Sequence, residues 1–118
     1  MKEPPPSARV VELRVALKAL MTTMESAVRA TAVDLNEGAS DAAREETVDA
    51  CFTKLTELLR DPETPQGEKV ITTIAAVHAR LERTFRLYVR AAAGGKQLAR
   101  KEMRRVLSEV KAHASEWQ

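Results

Sequence analysis

Apolar and small residues recur along this chain in alternating steps of three and four. In the first segment they fall at Val10, Leu13, Leu17, Leu20, Met24, Ala27 and Thr31, with Val28 and Leu35 widening the stripe. That spacing puts one face of an α-helix against a core. It predicts a first helix over about 8–35, with Ser7 as N-cap. Asn36-Glu37-Gly38 ends it, Gly38 being suited to a left-handed terminating position.

The pattern repeats three more times. Val48, Cys51, Phe52, Leu55, Leu58 and Leu59 predict a second helix over about 41–60, capped by Ser40 and stopped by Asp61-Pro62. Asp41, Glu45 and Glu46 suit its positive end. A third stripe, Val70, Ile74, Val77, Leu81, Phe85, Tyr88 and Ala92, predicts a helix starting at Pro65 with Thr64 as N-cap. A fourth, Ala99, Met103, Val106, Val110, His113 and Trp117, predicts a helix over about 96–117. No alternation of strand type and no internal repeat interrupts this pattern.

Four amphipathic helices with short connections predict an all-α, four-helix, up-down-up-down antiparallel bundle. The third and fourth stripes share one phase through Gly94-Gly95. The alternative is therefore three helices, with one continuous helix over about 65–117 that dimerises to cover its far half. Two interior glycines cost such a rod about 2 kcal/mol, which favours a hairpin.

Composition changes the picture little. The chain has 118 residues, a length for one domain, with residues 1–6 a Pro-rich tail and residues 7–118 a single bundle. Nineteen alanines and few aromatics suit closely packed helices. The net charge of +2 by itself calls for neither nucleic acid nor membrane. A lone Cys51, the absence of a long apolar run and a start without a signal-peptide core suggest a reducing, cytoplasmic setting of bacterial style.

Charge is unevenly distributed. Residues 80–107 hold nine Lys or Arg against two Glu, a local +7. Arg83, Arg86 and Arg90 lie opposite Leu81, Phe85 and Tyr88, and Lys101, Arg104 and Arg105 point away from Met103 and Val106. Lys96, Arg100 and Lys101 occupy the first turns of the fourth helix, where the dipole disfavours cations. A bound anion would remove that conflict. Leu87 falls beside Arg80 and Arg83, away from the core stripe. Residues 34–49 carry six acids (Asp34, Glu37, Asp41, Glu45, Glu46 and Asp49) against Arg44 alone. In an up-down bundle that acidic stretch lies beside the basic one. The two fields then partly cancel, which suits internal pairing or protein association better than phosphate tracking. The aromatics fall on apolar stripes, with none interleaved among the arginines as a base-stacking surface requires.

Catalytic patterns are missing. No Glu-x-x-His pair of the kind that builds di-metal bundle sites occurs. His78, one turn before Glu82, and His113, near Glu109 and Glu116, read as structural residues on or near apolar faces. Cys51 reads as a small core residue. Gly94-Gly95-Lys96 is not a phosphate-binding loop. The expectation is a non-enzyme without cofactor or metal and without membrane attachment. It would associate with itself, as a homodimer, or with another protein in a hetero-oligomer. The candidate binding residues are Arg83, Arg86, Leu87, Arg90, Lys96, Arg100, Lys101, Arg104 and Arg105. The alternative expectation is a nucleic-acid- or phosphate-binding protein that uses the same face.

Overall fold

The computed structural model describes residues 8–28, 38–91 and 93–117, with 38–44 and 93 as backbone only. Among the described residues four α-helices make up the fold: α1 Ala8–Val28, α2 Gly38–Arg60, α3 Lys69–Arg90 and α4 Lys96–Ala112. Cross-helix contacts fix their directions. Arg9 reaches Asp61 while Thr23 meets Cys51, so α1 and α2 are antiparallel. Thr56 meets His78 and Asp49 meets Arg86, which sets α3 against α2 in the same way. Arg80 pairs with Glu109 and Lys96 returns to Tyr88, so α4 runs back along α3. Glu25 pairs with Lys111 and Arg14 with the carbonyl of Trp117, which closes the ring between α4 and α1. This is the up-down-up-down bundle that the periodicity predicts.

The stripes meet inside. Leu13, Leu17, Leu20 and Met24 of α1, Val48, Phe52 and Leu55 of α2, Ile71, Ile74, Leu81, Phe85 and Tyr88 of α3, and Met103, Val106 and Val110 of α4 are all buried in one cluster. Each such large side chain contributes about 1.5–3 kcal/mol through burial. Phe52 and Phe85 pack at 5.5 Å between centroids, and Phe85 meets Tyr88 at 6.3 Å.

The long-rod alternative does not occur. α3 stops at Arg90, and Ala91 is extended at φ −65°, ψ 135°. A short 3-10 turn, Ala93–Gly95, then leads into α4. The glycines turn the chain without left-handed backbone, since no described glycine has positive φ. A hairpin lets both apolar stripes face one core, which a rod would leave half exposed.

Helix boundaries depart from the sequence reading where capping groups are used differently. α2 already begins at Gly38, so Gly38 starts a helix instead of ending one and Ser40 lies within the first turn. α3 begins at Lys69, not Pro65, after two successive turns closed by Thr64 N–H to Asp61 O and Glu68 N–H to Pro65 O. The Thr64 hydroxyl does not cap α3. It donates to Leu58 O at 2.5 Å, and Gln66 donates to Leu59 O at 2.6 Å, so both satisfy carbonyls left over at the end of α2. α4 ends at Ala112, and a 3-10 turn, Ala114–Glu116, swings Trp117 back into the core. The tail, Ser7, Thr31, Leu35, Asn36, Glu37 and Ala92 lie outside the described residues, as do the side chains of Ser40 and Asp41.

Candidate functional site

The nine nominated residues separate into three groups. The first is spent within the fold. Arg86 holds Asp49 of α2 at 2.5 Å, and its guanidinium lies 5.6 Å from the Phe85 ring centroid. Arg105 pairs with both Glu102 and Glu109. Its hydrogen bond holds the Glu102 carboxyl below the usual range. Glu109 is lowered chiefly by Arg80, with Arg105 adding to the effect. Arg104 donates to the Val28 carbonyl at 2.8 Å and so satisfies the last turn of α1.

The second group gathers at Tyr88. Lys96 donates to the Tyr88 carbonyl at 3.0 Å, lies 3.5 Å from Glu45, and sits 4.3 Å from the Tyr88 ring centroid. Arg100, expected outside, is buried with 7% of its surface exposed. Its Nη2 donates to the Tyr88 hydroxyl at 3.3 Å and its guanidinium stacks 5.6 Å from the ring centroid. Arg100 lies three residues before Met103 and seven before Leu107, both buried. That spacing was legible, but the residue type argued the other way.

The third group faces solvent. Arg83, Arg90 and Lys101 are exposed, with no ion pair among the described residues. Leu87 is 60% exposed and lies seven residues after Arg80, on its face of α3. Leu98, which the sequence reading passed over, is 73% exposed. It sits four and seven residues before Glu102 and Arg105. Arg80 faces Glu109 across α3 and α4, and helical spacing puts Leu87 on the face of Arg80 and Leu98 on the face of Glu102 and Arg105, so both leucines lie on the outer side of the α3–α4 hairpin. Leu98's distance in phase from Met103 and Val106 is the signal that marks it. Val11 and Val15 are also exposed, on the solvent side of α1.

No family model, curated protein or solved structure matches this chain.

The acidic and basic segments do meet, through Glu45–Lys96 and Asp49–Arg86. Asp34, Glu37 and the side chain of Asp41 lie outside the described residues. His113 departs from expectation. Its side chain is solvent-exposed beside Glu116, because α4 has ended one residue earlier and the helical phase no longer applies. His78 bonds Thr56 across to α2 at 3.1 Å and meets the Phe52 ring edge-on, without using Glu82. The Thr23 hydroxyl donates to Ala19 O at 2.7 Å, so at the 3.6 Å contact with Cys51 the thiol is the donor. Among the described residues no three His, Cys, Asp or Glu side chains converge as a metal site would need. No described helix is long and apolar enough to cross a membrane.

Proposed function

We propose that this bundle is a non-catalytic interaction module that binds a protein partner through the outer face of the α3–α4 hairpin. The observation that carries the reading is the exposure of Leu87 and Leu98 on the outer side of the hairpin, near three cations without ion pairs among the described residues, Arg83, Arg90 and Lys101. Exposed apolar anchors with unpaired cations within a turn of them fit an acidic, amphipathic segment. The leucines would supply burial, and the arginines would set orientation and rate of encounter. The surrounding cations are engaged internally, so the face is a small patch and not an extended basic track.

A photo-crosslinker at position 98, with a second at Thr72 on the same hairpin's far end as control, tests this in the native cell. An acidic protein captured at 98, absent at 72 and lost when Leu87→Glu is added, is the expected result. Equal capture at both positions removes the proposal.

Arg83, Arg90 and Lys101 also support a second reading, contact with nucleic-acid phosphates. Three such contacts give a slope of log affinity against log salt of only about −3 on duplex DNA. Oligonucleotide titrations that show no binding at low salt dispose of this reading. A slope much steeper than −3 would show that the ion pairs of Arg80, Arg86 and Arg105 open to release further cations.

A further inference from the structure

We propose that the cleft between α1 and α4 beside Trp117 is a binding site for a small carboxylate with a compact apolar body, such as a ring. The cleft contains neither Leu87 nor Leu98, so its failure would leave the protein-binding reading untouched.

Size and walls come first. The cleft has a volume of about 260 Å³. A cavity of about 150 Å³ accepts a benzene ring, so a ring and its carboxylate have room here. The apolar walls are Met21 of α1 with Ala114 and Trp117 of the closing turn. That turn is anchored. Arg14 donates to the Trp117 carbonyl at 3.1 Å, and the indole Nε1 donates to the Val110 carbonyl at 3.4 Å. The indole wall is therefore in place before a ligand arrives, which lowers the cost of binding.

The rim supplies the charge. Lys18, Thr22 and Glu25 follow one another at steps of four and three, so they form one edge of α1, and Lys111 lines the cleft from α4. Glu25 pairs with Lys111 across the cleft, which cancels its repulsion of an incoming anion. Lys18 has no ion pair, and the Thr22 hydroxyl no hydrogen bond, among the described residues. One cation is thus left over, with a free hydroxyl one turn further on. Together they can donate to the two oxygens of one carboxylate while its apolar body lies against Met21, Ala114 and Trp117. A second cleft, of about 220 Å³, borders Trp117 on the α3 side. There Arg80 is paired with Glu109, and His113 stands beside Glu116. With two carboxylates and no unpaired Lys or Arg on its lining, that side disfavours an anion.

The test uses the full chain and benzoate as the probe, with acetate and benzyl alcohol as controls, all at matched ionic strength. Trp117 is the only tryptophan in the sequence, so its fluorescence reports the cleft directly. The expected result is a saturable change with benzoate, and at least about tenfold weaker binding of acetate, which lacks the body, and of benzyl alcohol, which lacks the charge. Lys18→Met should weaken benzoate about tenfold with the melting temperature unchanged, because Lys18 is exposed. Ala76→Leu, which fills the cleft on the α3 side, should leave benzoate binding intact. The proposal is wrong if benzoate gives no saturable change, or if acetate or benzyl alcohol binds as well as benzoate. It is equally wrong if Lys18→Met binds like the wild type, or if Ala76→Leu is the variant that loses binding.

Discussion

Replacing Trp117 by alanine gives the sharpest test of how the bundle is closed. The indole is 3% exposed although it lies beyond the end of α4, and its Nε1 donates to the Val110 carbonyl at 3.4 Å. The Trp117 carbonyl accepts from Arg14 at 3.1 Å, and that backbone contact survives the substitution. Truncating a buried Trp costs about 3–5 kcal/mol. The lower end applies here, because clefts of about 260 and 220 Å³ border the ring on either side and water can enter the space left. With an unfolding entropy of about 2.1 cal/mol/K per residue over the roughly 100 described residues, 3 kcal/mol lowers Tm by about 14 °C. Thermal unfolding monitored by circular dichroism measures this, with exposed Ser115→Ala as the neutral control. Trp117→Phe should recover more than half of the loss. A drop below about 3 °C for Trp117→Ala would mean that the ring does not pack as described, and that α1 and α4 are held by their ion pairs instead.

Two other substitutions test local claims. Gly94→Ala and Gly95→Ala should each stabilise by about 0.4–1 kcal/mol in denaturant titration. The described glycines have negative φ, and an added Cβ meets nothing within 4 Å at Gly94 and only the Ala91 Cβ at 3.8 Å at Gly95. A loss of stability at either site would refute the turn geometry. Glu102 and Glu109 should titrate below an ordinary glutamate in carboxyl-carbon spectra. Their contribution to folding is then complete above about pH 4.3 and fades as pH falls through the lowered values. Arg105→Gln should return Glu102 nearly to normal and Glu109 only part-way, since Arg80 remains. No movement of Glu102 would exclude the Arg105 bond as the cause.

The core was legible because burial and helical period are one signal. Leu13, Leu17, Leu20, Met24, Leu81, Met103 and Val106 all fall where the three-and-four spacing puts them. Helix ends were less legible, since a capping residue can serve either neighbour. Thr64 has the form of an N-cap for α3, yet it bonds backward to Leu58 because the chain turns twice before α3 can start. The period that would put His113 on the apolar stripe stops with α4 at Ala112. Arg100 departs from the rule that a cation faces water, because its stem is buried against Tyr88 and its charge is shared with the ring. Leu87 was identified from phase. Leu98 needed the partner helix beside it before its exposure had meaning.

The ring of helices also has a seam. Around it, α1 meets α2, α2 meets α3 and α3 meets α4, each a neighbour in sequence, whereas the join between α4 and α1 links Arg14 with Trp117 and Val28 with Arg104 across most of the polymer. Bringing such distant segments together carries the largest loop-closure entropy, so this edge is expected to form last. That edge is thus set by where the polymer is cut and not by how its faces pack. A circular permutant opened at the exposed Gly67, beyond the Thr64 and Gln66 bonds to α2, with its old ends spliced, should keep the same interior and move the late-forming edge to the join between α2 and α3.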